Sequence, residues 1–437
     1  MPIRRPNLAA KLNRSLRGVP VSKLARTSGF CRRKARKVGP RAFIQAICLT
    51  VLCASPSLQA AAVFASLWGE SVVSRQGIWK RIGPRSARFL RGATLALLAV
   101  QSHARRLARA GVFAPFRRVL IEDSTVLPLA PSLAKAFPGG ANQSGKKSAA
   151  VKIQAVYDLL AGRFLRFALA AFTRNDQAAA GDILSLLRPG DLLLRDLGFF
   201  ALPVFRSIGQ KGAFFLSRLR QQVWIGTPDG RTLNLLAHLR RHGQFDGPVL
   251  LGSQEKLPVR LVAVRVSAAT AAERRRRRLQ NRDRRLRPTR ERLALLGWAL
   301  MITNVPPEVW DAPTVCKVYR VRWRIEILFK AWKSRFHFAA LPAGSAAYIE
   351  TLLWARLLLV TITCPLFEDA FGRPVRTRSA PRSVLKAAPI LLLALICVWL
   401  RRAHHAAERL DEILQRLGSY DKRRDRSCFP LFVQTLG

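Results

Sequence analysis

Acids are scarce in this chain. Only 25 of its 437 residues are Asp or Glu, against 75 Lys and Arg, which leaves a formal charge of +50. A folded chain so unbalanced repels itself unless a polyanion neutralises it, and nucleic acid is the obvious candidate because phosphate contacts release counterions. Ribosomal, viral and membrane-surface proteins share that signature, so charge names a class of partner and no activity. Cysteine patterns for zinc or redox chemistry are also missing. The seven cysteines (Cys31, Cys48, Cys53, Cys316, Cys364, Cys397 and Cys428) are odd in number and none has CxxC spacing. They read as reduced thiols, with neither a disulfide framework nor a zinc site. The six histidines add nothing: His404 and His405 are adjacent and diverge on a helix. Uninterrupted apolar runs are short. "APILLLALICVWL" (388–400) falls below the ~20 residues of a spanning helix, and "AFIQAICLTVLCASPSLQAAAVFASLW" (42–68) is broken by Gln45, Ser55, Pro56, Ser57 and Gln59 and lies too deep for a signal peptide. Both read as buried helices, and no membrane partner is expected.

What is present is enough apolar material for real cores, 49% of the chain, and a length that calls for two to four units. Residues 1–40 are basic with little periodicity and read as a DNA-contacting arm or a solvated tail. In "SLQAAAVFASLWGESVVSRQGIWKRI" (57–82) an apolar helix ends near Gly69, and a second follows with Ser71 or Ser74 as its N-cap. This is the outline of a helix-turn-helix, with Arg75, Gln76 and Lys80 placed to meet DNA.

From 117 the pattern changes. "RRVLIED" is a buried strand. "VKIQAVYDLL" (151–160) and "RFLRFALAAFT" (163–173) form a hairpin, and "DQAAAGDILSLL" (176–187) is a helix. "DLLLRD" (191–196) is a strand, "FALPVFRSIGQ" (200–210) a helix and "GAFFLSRL" (212–219) a strand. Three meandering strands followed by α/β alternation is the RNase H-like arrangement. Strands then return in "VWIGTPDGRTLNLL" and "GPVLLGSQEKLPVRLVAVRV", before the arginine-dense "AAERRRRRLQNRDRRLRPTRER" (271–292), which is a solvated or a phosphate-facing stretch. "LGWALMITNV" (296–305) is a strand again. The predicted fold class is α/β, an RNase H-like core interrupted by a β-rich insertion. The predicted regions are 1–113, basic and helical; 114–219, the first part of the core; 220–299, the insertion; 300–369, the rest of the core; and 370–437, helical.

Two of the apolar strands run out into an aspartate, Asp123 in "LIEDST" and Asp196 in "LLRDLG". Catalytic residues of open α/β sheets gather at strand carboxyl ends. Glu122 faces away from Asp123, because successive strand side chains point to opposite faces. Either aspartate alone reads equally as a turn residue. The third carboxylate is in "YRVRWRIEILFKAWKSRF" (319–336), where Glu326 stands alone among six Lys and Arg. At 100° per residue, Val321, Ile325, Leu328, Phe329, Trp332 and Phe336 form the stripe that must pack on a core. Tyr319, Arg322, Glu326 and Lys333 form a second arc beside it, while Arg320, Arg324 and Arg335 fall off that arc as solvent or phosphate contacts. Three carboxylates on two strand ends and a helix suit a pair of hard divalent cations that activate one oxygen and stabilise another.

"DST" at Asp123, "RDLGF" at Asp196 and Tyr-x2-Arg-x3-Glu-x6-Lys from Tyr319 to Lys333 resemble the signature of DDE transposases of the IS4 type, the group that includes the Tn5 and Tn10 enzymes. The resemblance covers about 117–340. It implies cut-and-paste DNA transposition through Mg²⁺ or Mn²⁺ held by Asp123, Asp196 and Glu326. It implies phosphate contacts from Arg322 and Lys333 with Tyr319 beside them, a stacking role for Trp298 on a flipped base, and DNA contact at Trp323. It further implies a homodimer on double-stranded DNA carrying terminal inverted repeats, in the cytoplasm at the nucleoid. An RNase H-like nuclease that cuts without joining, and a decayed DNA-binding relic, are the alternatives.

Overall fold

The computed structural model describes residues 16–33, 38–66, 73–102, 111–141, 147–280, 288–371 and 383–399. Residues 1–15 of the basic arm, Ser71, residues 281–287 of the arginine stretch and "RRAHHAAERLDEILQRLG" lie outside the described residues.

In chain order the N-terminal helices are α1 (Val21–Thr27), α2 (Pro40–Thr50), α3 (Leu58–Ser66), α4 (Arg75–Trp79) and α5 (Pro84–Ser102). Then come β1 (Arg118–Leu129), β2 (Pro138–Ala141), β3 (Lys147–Asp158), β4 (Arg163–Ala171) and β5 (Asp191–Arg195). They are followed by α6 (Leu202–Gln210), β6 (Phe214–Arg218), β7 (Ile225–Gly226), α7 (Leu235–His242), β8 (Phe245–Leu251) and β9 (Leu257–Arg265). The remainder is α8 (Ala268–Leu279), α9 (Arg290–Leu295), β10 (Trp298–Thr303), α10 (Ala312–Tyr319), α11 (Trp323–Arg335), α12 (Ala346–Phe371) and α13 (Val384–Trp399). The fold is therefore mixed α/β.

The chain divides into two compact units, and neither is one stretch of sequence. The first comprises Met1–Leu107, Ser124–Thr173 and Arg324–Pro430; the second comprises Ala108–Asp123, Arg174–Trp323 and Leu431–Gly437.

In the first unit β3 pairs antiparallel with β2 and β4, and α12 packs along α5. Helix α12 shows why apolar length alone misleads. Ala346–Phe367 is long and apolar enough to cross a membrane, yet 89% of its most apolar stretch is buried inside the protein. Two of its polar groups are matched within the unit: Thr351 Oγ1 lies 2.9 Å from Ser86 Oγ, and the Thr361 carbonyl accepts from Gln101 Nε2 at 2.8 Å. Trp332 sits in an aromatic cluster with Phe164, Phe167, Phe329 and Phe338, with ring centroids 4.9–5.8 Å apart. At the N-terminal end Ser74 caps α4, its hydroxyl accepting from the Gly77 amide at 3.1 Å. That helix has five residues, shorter than the periodicity of 71–82 suggests. Arg75, Gln76 and Lys80 are exposed.

The second unit is built on one mixed sheet. Residues 118–122 of β1 pair parallel with β5, and β5 pairs parallel with β6. Beyond β6 the order continues antiparallel through β10, β9, β8 and β7. The strands of 220–299 thus extend the same sheet. Trp310 is buried against Phe113 and Phe116 and donates its indole N–H to the Val112 carbonyl at 2.8 Å. Some elements differ from expectation. Strand β1 does not end at Asp123 but runs on to Leu129, and of residues 223–236 only Ile225–Gly226 is strand, with α7 beginning at Leu235. The stretch 176–187 holds only a 3-10 helix, Ala180–Ser185. The Asn175 side chain accepts from the Ala178 amide at 2.7 Å, and Gly181 sits inside the turn, so the segment tightens and does not propagate as an α-helix.

Candidate active site

The β1–β5 pairing fixes the site. Its register sets Arg118 opposite Asp191 and Glu122 opposite Arg195. Both pairs are ion pairs. Arg118 Nε is 2.9 Å from Asp191 Oδ1, and Arg195 Nη2 is 2.6 Å from Glu122 Oε2. All four side chains are buried. Positions four apart on a strand share a face, so charges of opposite order clamp both ends of the pairing. Burial pushes the Arg195 guanidinium down, and Glu122 holds it up. A one-residue slip would break both ion pairs and reverse every side chain. The next residue on each strand, Asp123 and Asp196, therefore leaves the sheet on the other face at the same level.

Both aspartates meet Arg322. Its Nη1 donates to Asp123 Oδ2 at 3.0 Å, and its Nη2 lies 3.5 Å from Asp196 Oδ1. The Arg322 side chain is 7% exposed, Asp123 15% and Asp196 39%, so the pair is open on the Asp196 side. The helical stretch carrying Arg322 is not continuous. Asp311 caps α10 through the Thr314 amide at 2.9 Å. A 3-10 turn at Arg320–Arg322 then separates α10 from α11. In such a turn side chains three apart eclipse, and Arg322 accordingly stands 5.8 Å over the Tyr319 ring. The same ring carries Arg218 at 5.4 Å. The Tyr319 hydroxyl donates to the Arg195 carbonyl at 3.2 Å, and burial pushes its pKa up.

Tyr319 is thus a buried spacer that ties Arg322 and Arg218 to the end of β5. Glu326 lies in the first turn of α11 and is half-buried, and Lys333, two turns further, is exposed. Both belong to the first unit, as does the stripe Ile325, Leu328, Phe329, Trp332 and Phe336, all of it buried. Arg324 overturns its expected solvent role: it is 5% exposed, its guanidinium 5.7 Å over Phe367. Trp323 is 43% exposed. Trp298, at the start of β10, donates its indole N–H to the Gly243 carbonyl at 2.8 Å, which fixes its ring.

Beside the aspartates, within the second unit, lies a cleft of about 600 Å³. Leu197, the residue after Asp196, lines it together with Trp298, and its rim carries Arg218, Arg220, Arg278 and Arg292. Arg274, also on the cleft, donates to the Trp298 carbonyl at 3.1 Å. Burial and the neighbouring Arg218 charge both push its pKa down. Such crowding of cations beside an apolar floor is relieved by an anion. The sequence shows the arginines of 271–292 as a composition; nothing in it pairs them with Arg218 and Arg220.

Burial pushes the Cys48 thiol well up, and Cys316 up to about 11, which holds both in the protonated form at neutral pH. Among the described residues no three His, Cys, Asp or Glu side chains are gathered closely enough to hold a metal ion.

Residues 114–362, more than half of the chain, match the family model of the transposase DDE domain. The chain belongs to that family. It is similar to the transposase for insertion sequence element IS231B of Bacillus thuringiensis subsp. berliner, 26% identical over 78% of this chain and 76% of that one. It is also similar to the transposase for IS1151 of Clostridium perfringens, 22% identical over 78% and 76%. A solved piggyBac transposase synaptic complex with hairpin DNA aligns at 12% identity over 97% of this chain and 87% of that chain. Its TM-score of 0.48 is too low to carry weight. The chain is a transposase, an enzyme of DNA cleavage and strand transfer. Its family depends on divalent metal. The donors at hand fit a hard cation: two carboxylates side by side, already balanced by a positive group and open on one side.

Proposed function

We propose that the chain performs cut-and-paste transposition of an insertion sequence, with Asp123, Asp196 and Glu326 holding the divalent metal, Mg²⁺ or Mn²⁺. The observation that carries this is the aspartate pair: the β1–β5 pairing, held in register, brings Asp123 and Asp196, the next residue on each chain segment, onto one guanidinium. Glu326 joins them as the carboxylate four residues beyond Arg322. In this reading 114–219 and 300–369 form an RNase H-like core, 220–299 is its insertion, and 1–113 and 370–437 serve DNA binding and dimerisation.

When bound, such ions activate a water or a 3′-hydroxyl and stabilise the leaving oxygen. The chain supplies the rest. The β1–β5 clamp orients the two aspartates, and Tyr319 orients Arg322. Arg322 and Lys333 hold phosphates at the element end, and Trp323 lies against the DNA. The arginine cleft guides the backbone, while Trp298 offers an aromatic face for stacking, worth ~1–3 kcal/mol per base. The partner is double-stranded DNA with terminal inverted repeats, bound by a homodimer in the cytoplasm at the nucleoid.

The test is cutting of DNA that carries the element's own ends, with Mg²⁺. The wild-type chain cuts at the repeat and joins the ends to target DNA. Cutting without joining would support a nuclease, and binding without cutting a decayed relic.

Two smaller effects are expected from residues outside the carboxylates. Arg278→Ala with Arg292→Ala reduces the slope of log binding against log salt by about one for each phosphate no longer engaged, read in a salt series on duplex DNA. An unchanged slope would remove the cleft from the DNA path. Asp311→Ala costs about 1 kcal/mol of stability by removing the cap. Its bonds to the Thr314 hydroxyl and amide hold the Asp311 carboxyl below the usual range. The contribution is therefore present at neutral pH and is lost as pH falls through that lowered pKa. Thermal melts of wild type and variant converge in acid.

A further inference from the structure

Two carboxylates that directly follow the paired stretch of neighbouring parallel strands repel each other when no cation lies between them. Here the protein supplies a cation of its own. Arg322 reaches one oxygen of each aspartate with a different nitrogen, at 3.0 and 3.5 Å. A guanidinium cannot shed its proton at working pH, so this charge is permanent. It is also held in place: the 3-10 turn stacks it over Tyr319, whose hydroxyl is tied to the Arg195 carbonyl. A divalent cation ligated by Asp123 and Asp196 must share the two carboxylates with the guanidinium that now lies against one oxygen of each. Two positive groups a few ångströms apart oppose each other strongly even at an effective dielectric of ~20. The guanidinium gives up its carboxylates most readily to another planar pair of anionic oxygens, and phosphate supplies one.

Resting on the reading of Asp123 and Asp196 as metal ligands, we propose that Arg322 is their resident counter-ion and competes with the divalent cation for them. DNA phosphate relieves that competition by drawing Arg322 away. Metal and DNA then strengthen each other's binding, by the same factor in both directions. Arg322 is a positioning residue in this scheme, and its effect is on cation affinity in the absence of DNA.

The experiment is Mn²⁺ binding to the full-length chain, followed by the electron paramagnetic resonance of free Mn²⁺, for wild type, Arg322→Gln, Arg322→Lys and Asp123→Asn. Thermal melts without metal establish that each variant is folded. Arg322→Gln is expected to bind Mn²⁺ about tenfold tighter than wild type, with Arg322→Lys between them, because lysine keeps the charge and loses the fork. Added duplex DNA tightens Mn²⁺ binding to wild type and has a much smaller effect on Arg322→Gln. If Arg322→Gln does not fold, tighter binding by Arg322→Lys than by wild type carries the same conclusion. Equal or weaker binding by the Arg322 variants, with Asp123→Asn abolishing it, overturns the competition and leaves the metal-ligand reading standing. If wild type binds no more Mn²⁺ than Asp123→Asn, with or without DNA, the metal-ligand reading itself falls.

Discussion

Asp123→Asn lowers cutting of element-end DNA by roughly a thousandfold or more, while the DNA gel shift remains. The substitution keeps size and one acceptor oxygen but removes the charge that a hard cation needs. It leaves Arg278, Arg292, Lys333 and the rest of a +50 chain to bind phosphate. Asp196→Asn and Glu326→Gln are expected to do the same. A second substitution among the three adds little to the first, because groups that act as a unit fail as a unit. The decisive comparison is the binding-to-cutting ratio. A variant that loses both in proportion has lost its fold or its DNA surface, and one that keeps cutting is no metal ligand.

The second large effect lies one residue back on each strand. Arg195→Met leaves Glu122 charged and buried opposite an apolar chain, at a cost of about 3–5 kcal/mol. Glu122→Leu strands the Arg195 guanidinium, which is fully buried, at similar cost. The double variant Glu122→Leu with Arg195→Met recovers most of the stability, since replacing both members of a buried pair by apolar groups is often neutral or better. Denaturant midpoints of the two singles and the double measure this as a coupling energy. Simple additivity would show that the two groups do not act on each other. Because the pair sets the β1–β5 register, the single variants lose cutting along with stability, although neither residue touches DNA.

Much of this is legible in the sequence, and the reason is physical. "RVLIED" and "DLLLRD" are short, apolar and β-branched or leucine-rich, which is what a strand covered on both faces must be. Their charges are also mirrored. Arg118 and Glu122 precede Asp123 at the offsets at which Asp191 and Arg195 precede Asp196. Parallel pairing in register converts that mirror into two ion pairs. The buried stripe of α11 is legible for the same reason, since a helix face that packs must repeat near 3.6 residues.

What is not legible depends on backbone detail. The 100° rule assumes an unbroken helix, and the turn at Arg320–Arg322 breaks it. That turn buries Arg322 against the aspartates, and Arg324, which the rule sends to solvent, is buried over Phe367. The stacking of Arg218 on Tyr319 joins residues about a hundred positions apart, and no local pattern announces it. Helix α12 is hidden for a similar reason: its apolar stretch makes sense only with α5 packed along it.

Whether Asp123, Asp196 and Glu326 ligate one metal centre is tested most directly by a crystal structure of the full-length chain with Mn²⁺ and uncut element-end DNA. The DNA carries a non-cleavable analogue of the scissile phosphodiester, and the metal is located by anomalous scattering. Manganese is expected to be bound by oxygens of all three carboxylates, at the roughly 2.0–2.2 Å of hard-cation ligation. Manganese held by the two aspartates with the Glu326 carboxylate turned away from it, or no manganese at Asp123 and Asp196, would contradict a three-carboxylate centre.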